Sequence, residues 1–263
     1  SVIPRIYPAT DNGKLEGNAV FMDDQVLKEK RRDMGPYTFG TQMLQDPIAD
    51  KSMGFREEWL RYYESLGNTD KWNKYILIDP ASKQKKTSDY TVMEVIGMAP
   101  DNNYYLLDAV RDRINLTQRT KMLFHLHRKW QPKSVGYERY GMQSDVEHIQ
   151  YIMEQENYRF NIVELGGKLA KEDRIQKLIP IYEQGRFYMP KHLYFTDYEG
   201  KSTNYIDKFV NDEYLAFPVS THDDMLDCRA RILDPKLEAT FPMFKETPKK
   251  EYNSHYGSGG HGW

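Results

Sequence analysis

Apolar and polar residues alternate most regularly in the middle of the chain, where the pattern predicts three strands. The first strand is a β-favouring stretch that ends in one acid, Asp79, and is closed by Pro80. With a side-chain period of two, Asp79 shares a face of this strand with Tyr75 and Leu77. The connections between the strands are short, which is typical of an antiparallel meander. The three predicted strands cover residues 75–79, 90–98 and 104–111.

Beyond the third strand, amphipathic helices alternate with short apolar strands. The predicted helices cover residues 116–130, 142–156 and 172–182, and the strands between them cover 134–138 and 159–164. A short strand over 185–189 and helices over 204–211 and 220–233 follow. Three antiparallel strands followed by this alternation predict an α/β, ribonuclease H-like fold: a mixed sheet of five or more strands with helices on both faces.

The two ends of the chain differ from this regular region. Residues 1–70 contain a charged helix over 23–34, which we expect to end at Gly35-Pro36, and otherwise irregular sequence. After residue 235 the composition turns to Lys, Gly, Ser and His. We therefore predict an approach segment over 1–70, a domain over 71–235 and a flexible tail over 236–263. Since the chain begins at Ser1, we expect a fragment of a larger protein.

The composition narrows the class of protein. The net charge of −2 gives no overall basic signal for nucleic acid, although basic and acidic residues cluster separately. The single cysteine, Cys228, excludes an internal disulfide framework and fits a reducing compartment. No apolar run reaches the roughly 18–20 residues that span a bilayer, so no membrane partner is expected.

Acids stand at three places where this fold would bring them together. Asp79 ends the first strand and Glu138 ends the fourth, and adjacent parallel strands would place both at one sheet edge. The third group is Asp223, Asp224 and Asp227, at the start of the last helix, where a spacing of three or four lets two carboxylates point the same way. Taken singly, each acid could be a helix cap or a surface ion pair.

Clustered carboxylates repel one another, and a divalent cation removes that repulsion. Magnesium takes oxygen ligands, commonly one or two carboxylates with waters and substrate phosphates. Two such ions about 3.5–4 Å apart can hold the attacking and leaving oxygens of a phosphoryl displacement. The pattern is therefore compatible with a two-metal site for Mg²⁺ or Mn²⁺.

Two basic stretches are candidates for contact with DNA. A Gly-Gly turn after the fifth strand is followed by Lys168, Lys171 and Arg174, which suit a phosphate backbone. A solvated helix face would show the same residues. The second stretch follows Asp79 and contains Lys83, Lys85 and Lys86.

Taken in order, the motifs closely resemble those of the nuclease domain of tailed-bacteriophage terminase large subunits. They are Ile78-Asp79-Pro80-Ala81, Ser88-Asp89-Tyr90-Thr91, Tyr137-Glu138-Arg139, Lys168-Leu169-Ala170-Lys171-Glu172-Asp173-Arg174, Gly185-Arg186-Phe187 and His222-Asp223-Asp224-Met225-Leu226-Asp227. The resemblance covers roughly residues 2–233 and implies that Asp79, Glu138 and the Asp223/Asp224 pair bind metal. Whether Asp227 is a ligand or supports one stays open.

The resemblance also implies a function. That family joins an ATPase motor to a metal-dependent endonuclease that cuts concatemeric viral DNA during genome packaging in the host-cell cytoplasm. This chain has no GxxxxGK[ST] motif, so we expect the nuclease half, without ATPase activity of its own. The implied partners are double-stranded viral DNA, the terminase small subunit, the portal or capsid, and the missing motor domain. Another ribonuclease H-fold nuclease, such as a resolvase or transposase, and a silent DNA- or capsid-binding module are the alternatives.

Overall fold

A computed structural model describes residues 7–14, 17–45, 54–80, 90–138, 143–197, 199–220 and 222–243. The strands are β1 (Arg61–Tyr63), β2 (Asn73–Asp79), β3 (Thr91–Met98), β4 (Tyr104–Asp112), β5 (Ser134–Glu138), β6 (Ile162–Leu165), β7 (Phe187–Pro190), β8 (Tyr194–Thr196) and β9 (Ser202–Asn204). The helices are α1 (Asp24–Gln42), α2 (Leu116–Trp130), α3 (Gln143–Gln155), α4 (Lys171–Gln176), α5 (Ile179–Glu183), α6 (Tyr205–Lys208) and α7 (Asp224–Ala230). No helix in the described part of the chain is long and apolar enough to cross a membrane.

Seven strands form the main sheet, in the order β1-β7-β4-β3-β2-β5-β6. The first three predicted strands, now β2, β3 and β4, pair antiparallel. Strand β5 lies parallel to β2, and β6 lies parallel to β5. The predicted mixed sheet is therefore confirmed, with β1 and β7 extending it beyond five strands on the side of β4.

Each face of the sheet carries its own apolar core, and the period of β2 explains why. Ile76 and Ile78 point into the core that α2 and α3 cover, while Tyr75 and Leu77 point into the core that contains α7. This alternation agrees with the sequence prediction. It also assigns Asp79, the last residue of β2, to the face on which α7 packs, because Asp79 continues the odd-numbered series.

Several predicted boundaries were wrong. The helix expected over 172–182 is two short helices, α4 and α5, with Pro180 in the first turn of the second. The last helix begins at Asp224 rather than at residue 220, and it ends in a 3-10 turn at Arg231–Leu233. In place of the helix over 204–211, β9 ends at Asn204, whose side chain caps α6, and a π-helical turn follows over Phe209–Tyr214. The strand predicted over 185–189 begins only at Phe187, after a turn at Gly185 (φ 64°).

Segments outside the predicted domain 71–235 also have defined structure. Helix α1 continues to Gln42 instead of ending at Gly35-Pro36. Strand β1, which falls within the predicted approach segment, joins the main sheet beside β7. At the other end, Leu237 is buried and Phe241 packs edge-on against Tyr104. Chain segments on both sides of 71–235 thus contact the domain, and the three domain boundaries themselves stay predictions.

Candidate metal centre

Two carboxylates lie together because two parallel strands end side by side. Asp79 is the last residue of β2 and Glu138 is the last residue of β5, and the preceding residues Ile78 and Tyr137 are paired in the parallel ladder. Helix α7 brings Asp227 to the same place. One carboxylate oxygen from each of Asp79, Glu138 and Asp227 lies within 4.8 Å of the others. These three residues are called the acidic cluster below.

Two buried arginines neutralise part of the acidic cluster. Arg174 of α4 donates from Nε to Oδ1 of Asp227 at 2.9 Å and from Nη2 to Oδ2 at 2.8 Å. Arg231, just after α7, binds Glu138 through Nη2 and through Nε, the latter at 3.3 Å from Oε2. The cluster is therefore held on two sides by bidentate guanidinium groups, which match a carboxylate in geometry.

The pair at the start of α7 shares one lysine. The Nζ atom of Lys171 lies 2.6 Å from Oδ1 of Asp223 and 3.1 Å from Oδ1 of Asp224. The same ammonium lies 4.0 Å from Oδ2 of Asp227. Lys171 thus connects the Asp223/Asp224 pair with the acidic cluster, and its pKa is raised by these aspartates despite its burial.

Among the described residues, carboxylates outnumber cations at this edge of the sheet. Burial and the neighbouring carboxylates of Glu138 and Asp227 hold the pKa of Asp79 well above its ordinary value. No described residue donates a hydrogen bond to the Asp79 carboxylate. Burial also raises the pKa of Glu138, although Arg231 opposes that shift. Five carboxylates share the region with three cations: Asp79, Glu138, Asp223, Asp224 and Asp227 against Lys171, Arg174 and Arg231. Oxygen donors with excess negative charge fit a hard divalent ion.

Comparison with known proteins gives the family. The family model of the Terminase RNaseH-like domain matches residues 76–234, which is more than half of the 263-residue chain. The chain belongs to the terminase RNaseH-like domain family. No curated protein sequence matches it significantly.

Comparison with solved structures concerns the fold alone. A human cytomegalovirus terminase nuclease domain is similar with a TM-score of 0.51 at 14% identity, over 72% of this chain and 100% of that one. The large terminase nuclease of thermophilic phage G20c with bound magnesium has a TM-score of 0.41 at 14% identity, over 66% and 91% of the two chains. The first likeness supports the ribonuclease H-like fold that the strand order shows.

Buried charges fix helix α7 in this terminase RNaseH-like domain. Arg229 of α7 is fully buried and donates from Nε to Oε2 of Glu94 at 3.0 Å, in the middle of β3. Tyr205 donates to Oε1 of the same glutamate at 2.7 Å. Glu213 accepts from the backbone N–H of Met225 and of Leu226, in the first turn of α7. These contacts set the position from which α7 presents Asp224 and Asp227.

Sequence reasoning missed Glu94, Glu213, Arg229 and Arg231. Glu94 lies within an otherwise apolar strand, and a lone acid at a buried strand position was the one available signal. Arg231 lies four residues after Asp227, which is the spacing of neighbours on a helix. No local pattern indicates that Glu213 would cap α7.

The predicted DNA-binding residues lie in three different surroundings. Lys168 is exposed in the turn after β6. Lys171 and Arg174 are turned towards the aspartates, and Arg174 is only 8% exposed. Lys83, Lys85 and Lys86 lie outside the described residues. Of the predicted metal ligands, the structure brings Asp79, Glu138 and Asp227 into contact range, with Asp223 and Asp224 held beside them by Lys171.

Proposed function

We propose that this chain is a divalent-metal-dependent DNA endonuclease domain that cuts viral DNA during genome packaging. The observation that carries the proposal is the acidic cluster, three carboxylates within 4.8 Å at a sheet edge, in a member of the terminase RNaseH-like domain family. A single buried acid with a structural role needs only one hydrogen-bonding or charged partner. Here three carboxylates lie together in a buried place, where their negative charges are unfavourable without a cation.

The ligands follow from which carboxylate oxygens are already bound. Asp79 has no hydrogen-bond donor in the described part of the chain, where the one partner of the Asp224 carboxylate is Lys171, at Oδ1. Both oxygens of Asp227 are taken by Arg174. Both oxygens of Glu138 are bound by Arg231, so its assignment as a ligand rests instead on its place beside Asp79 at the ends of β5 and β2. We assign Asp79 and Glu138 as ligands common to the site, Asp224 as the principal ligand from α7, and Asp223 as a weaker one. Asp227 would lie beside the ions and orients Arg174.

The chemistry is hydrolysis of a phosphodiester bond. Two bound Mg²⁺ or Mn²⁺ ions would supply an activated water and stabilise the leaving 3′ oxygen. Lys171, held between Asp223, Asp224 and Asp227, neutralises part of their charge and, where bound metal did this instead, would be available to a substrate phosphate. Arg174 and Arg231 hold Asp227 and Glu138 in fixed orientations.

The expected substrate is double-stranded viral DNA in the host cytoplasm. Lys168 and Lys171 are proposed to bind its backbone, with the segment that contains Lys83, Lys85 and Lys86 as a second contact. A motor domain, the terminase small subunit and the portal or capsid are the proposed partners in the packaging assembly. Since the sequence has no phosphate-loop motif, we expect no ATP hydrolysis from this chain.

The decisive experiment is cleavage of supercoiled plasmid with Mg²⁺, with Mn²⁺ and with EDTA. The wild-type chain should nick and linearise the plasmid only with metal, and Asp79→Asn should not. Asp70→Asn is the matched control, because Asp70 is exposed in the loop before β2, and it should cleave normally. Cleavage that persists in EDTA would contradict the proposal. Preference for branched DNA over linear duplex would instead favour a resolvase, and metal-independent binding without any cleavage would favour a silent module.

A further inference from the structure

A cavity of about 450 Å³ opens beside the acidic cluster. One wall is the turn between β6 and α4, with Gly167, Lys168 and Leu169. The opposite wall runs from Ala230, the last residue of α7, to Lys236. The volume falls in the range of about 300–1,000 Å³ that is usual for small-molecule sites. The cavity is large enough for one monomer unit of a polymeric ligand, which is more than a single amino-acid side chain would fill.

The rim of this cavity is basic. Lys168, Lys177 and Lys236 are all exposed, and no ion pair joins any of their ammonium groups to a described residue. One acid, Asp234, lines the cavity, and its Oδ2 lies 3.4 Å from Nη1 of Arg231. Three uncompensated lysines around an opening favour an anionic occupant.

Apolar side chains also line the cavity. Leu169 is 39% exposed at its mouth, although it is a large hydrophobic residue, and Leu233 and Pro235 line the opposite side. A free phosphate would bind the lysines and leave this apolar surface exposed to water. A nucleotide would use both, because its phosphate carries charge while its sugar and base present apolar faces.

The cavity and the acidic cluster share two residues. Arg174 and Arg231 line the cavity and, through the same guanidinium groups, hold Asp227 and Glu138. An occupant of the cavity is therefore separated from the proposed metal centre by two side chains only. Consecutive phosphates of one strand could reach both places.

We propose that this cavity, here called the strand pocket, binds one nucleotide of the DNA strand next to the phosphodiester that is cut. Lys168, Lys177 and Lys236 contact its phosphate, and Leu169 and Leu233 contact its sugar or base. The inference rests on the proposed function for its substrate, but it concerns binding rather than cleavage. It assigns roles to Lys177 and Lys236, which lie outside the acidic cluster.

The first test fills the strand pocket without changing any charge. Gly167 lines the pocket, and a Cβ there would meet no atom within 4 Å, so Gly167→Leu can be introduced without a clash. Gly67→Leu is the matched control, since a Cβ at that exposed glycine also meets nothing. The measurement is the Kd for a duplex oligonucleotide in EDTA. Gly167→Leu should weaken binding roughly tenfold, which corresponds to about 1.4 kcal/mol of lost contact, and the control should not.

The second test removes the charge. The double variant Lys177→Glu/Lys236→Glu should weaken DNA binding and lower the slope of log K against log salt by about one per lysine. Lys121→Glu, on the exposed side of α2 across the sheet, should change neither quantity. The affinity and the salt dependence are both measured without metal, so neither depends on cleavage, which the plasmid assay tests.

The outcomes separate the two proposals. Weakened binding by Gly167→Leu and by the lysine variant supports the strand pocket, whether or not the wild type cuts plasmid. Loss with the lysine variant alone means that the rim attracts phosphate without a nucleotide entering, which overturns the pocket. Unchanged binding by both variants overturns it as well, and cleavage of plasmid by the wild type would then leave the endonuclease assignment intact.

Discussion

Arg174 and Asp227 form a two-point ion pair between α4 and α7, with 2.9 Å from Nε to Oδ1 and 2.8 Å from Nη2 to Oδ2. Both side chains are largely buried, at 8% and 3% exposure. The pair fastens the helix that carries the aspartates to the segment that follows β6. It also means that Asp227 has a guanidinium partner, whereas no described residue donates a hydrogen bond to Asp79, on which Lys171 acts only as a nearby charge.

Removing Arg174 should destabilise the metal-free protein, and metal should partly reverse the loss. Arg174→Met leaves the buried Asp227 without its main counter-charge, which typically costs about 3–5 kcal/mol. A divalent ion restores positive charge beside Asp227, so added Mn²⁺ should raise the melting temperature of the variant more than that of the wild type. The measurement is thermal unfolding in EDTA and across a Mn²⁺ titration.

The matched control for this experiment is Arg128→Met. Arg128 pairs with Glu156 at the surface, where both side chains are about half exposed, and such pairs contribute only about 0–1 kcal/mol. Equal destabilisation of the two variants, or no response of Arg174→Met to Mn²⁺, would separate Arg174 from the metal centre.

Asp79→Asn should abolish cleavage without weakening the fold. Burial and the carboxylates of Glu138 and Asp227 hold the pKa of Asp79 well above its ordinary value, so its negative charge opposes folding when no metal is present. The amide removes that charge and keeps the shape. Urea unfolding in EDTA should therefore show a variant at least as stable as the wild type, while plasmid cleavage falls more than about 100-fold. A clear loss of stability would make Asp79 a structural residue instead.

Asp223 and Asp224 should contribute unequally. Both are bound by Lys171, but Asp224, after burial, Glu138 and Asp227, also contributes to raising the pKa of Asp79. The backbone also differs between the two, because Asp224 is the first residue of α7 whereas Asp223 precedes it with φ −144° and ψ 25°. We expect Asp224→Asn to abolish cleavage and Asp223→Asn to retain activity that higher Mn²⁺ partly restores.

The assay for this pair is a metal titration of plasmid cleavage, with binding to uncut DNA in EDTA as the control. The two variants should bind DNA alike, because each loses one negative charge at the same helix end. Wild-type activity in Asp224→Asn would remove that residue from the site, and equal loss in both would mean that the two carboxylates act together.

The strand pattern predicted the neighbouring ends of β2 and β5 because a buried strand imposes its period on local sequence. The acid that closes each apolar stretch is visible without any knowledge of the fold. The cations that hold these acids could not be predicted in the same way. Arg174 and Asp227 are 53 residues apart, and Arg231 and Glu138 are 93 apart, so their pairing exists only after the sheet and α7 have come together.

Helix ends were harder to predict than the sheet for a related reason. The spacing of apolar residues does not show where a short helix stops. The break between α4 and α5 depends on Pro180, whose effect is not contained in that spacing. The start of α7 depends on Glu213, a buried side chain from the preceding turn that accepts from two of its N–H groups. Such a partner replaces the capping residue that a sequence pattern would show.

A histidine far from the acidic cluster should make stability depend on pH. His127 of α2 is 7% exposed, stacks on Phe160 and lies 2.8 Å through Nδ1 from the hydroxyl of Tyr158. Burial, with a smaller effect from Arg128, lowers its pKa to about 4. The folded state therefore favours the neutral ring. The contribution of this neutral ring to the free energy of unfolding is complete above the ordinary histidine pKa. It is lost as the pH falls from about 6.5 towards 4, by up to about 3 kcal/mol.

The measurement is urea unfolding at several pH values for the wild type, for His127→Gln and for His125→Gln. Glutamine does not titrate, so the pH dependence of His127→Gln between 6.5 and 4 should be flatter than that of the wild type. His125 lies on the exposed side of the same helix, and its replacement should leave the wild-type profile unchanged. Parallel profiles for wild type and His127→Gln would mean that the ring takes up a proton in the folded protein as readily as in the unfolded chain. The Tyr158 contact would then have to be with an imidazolium.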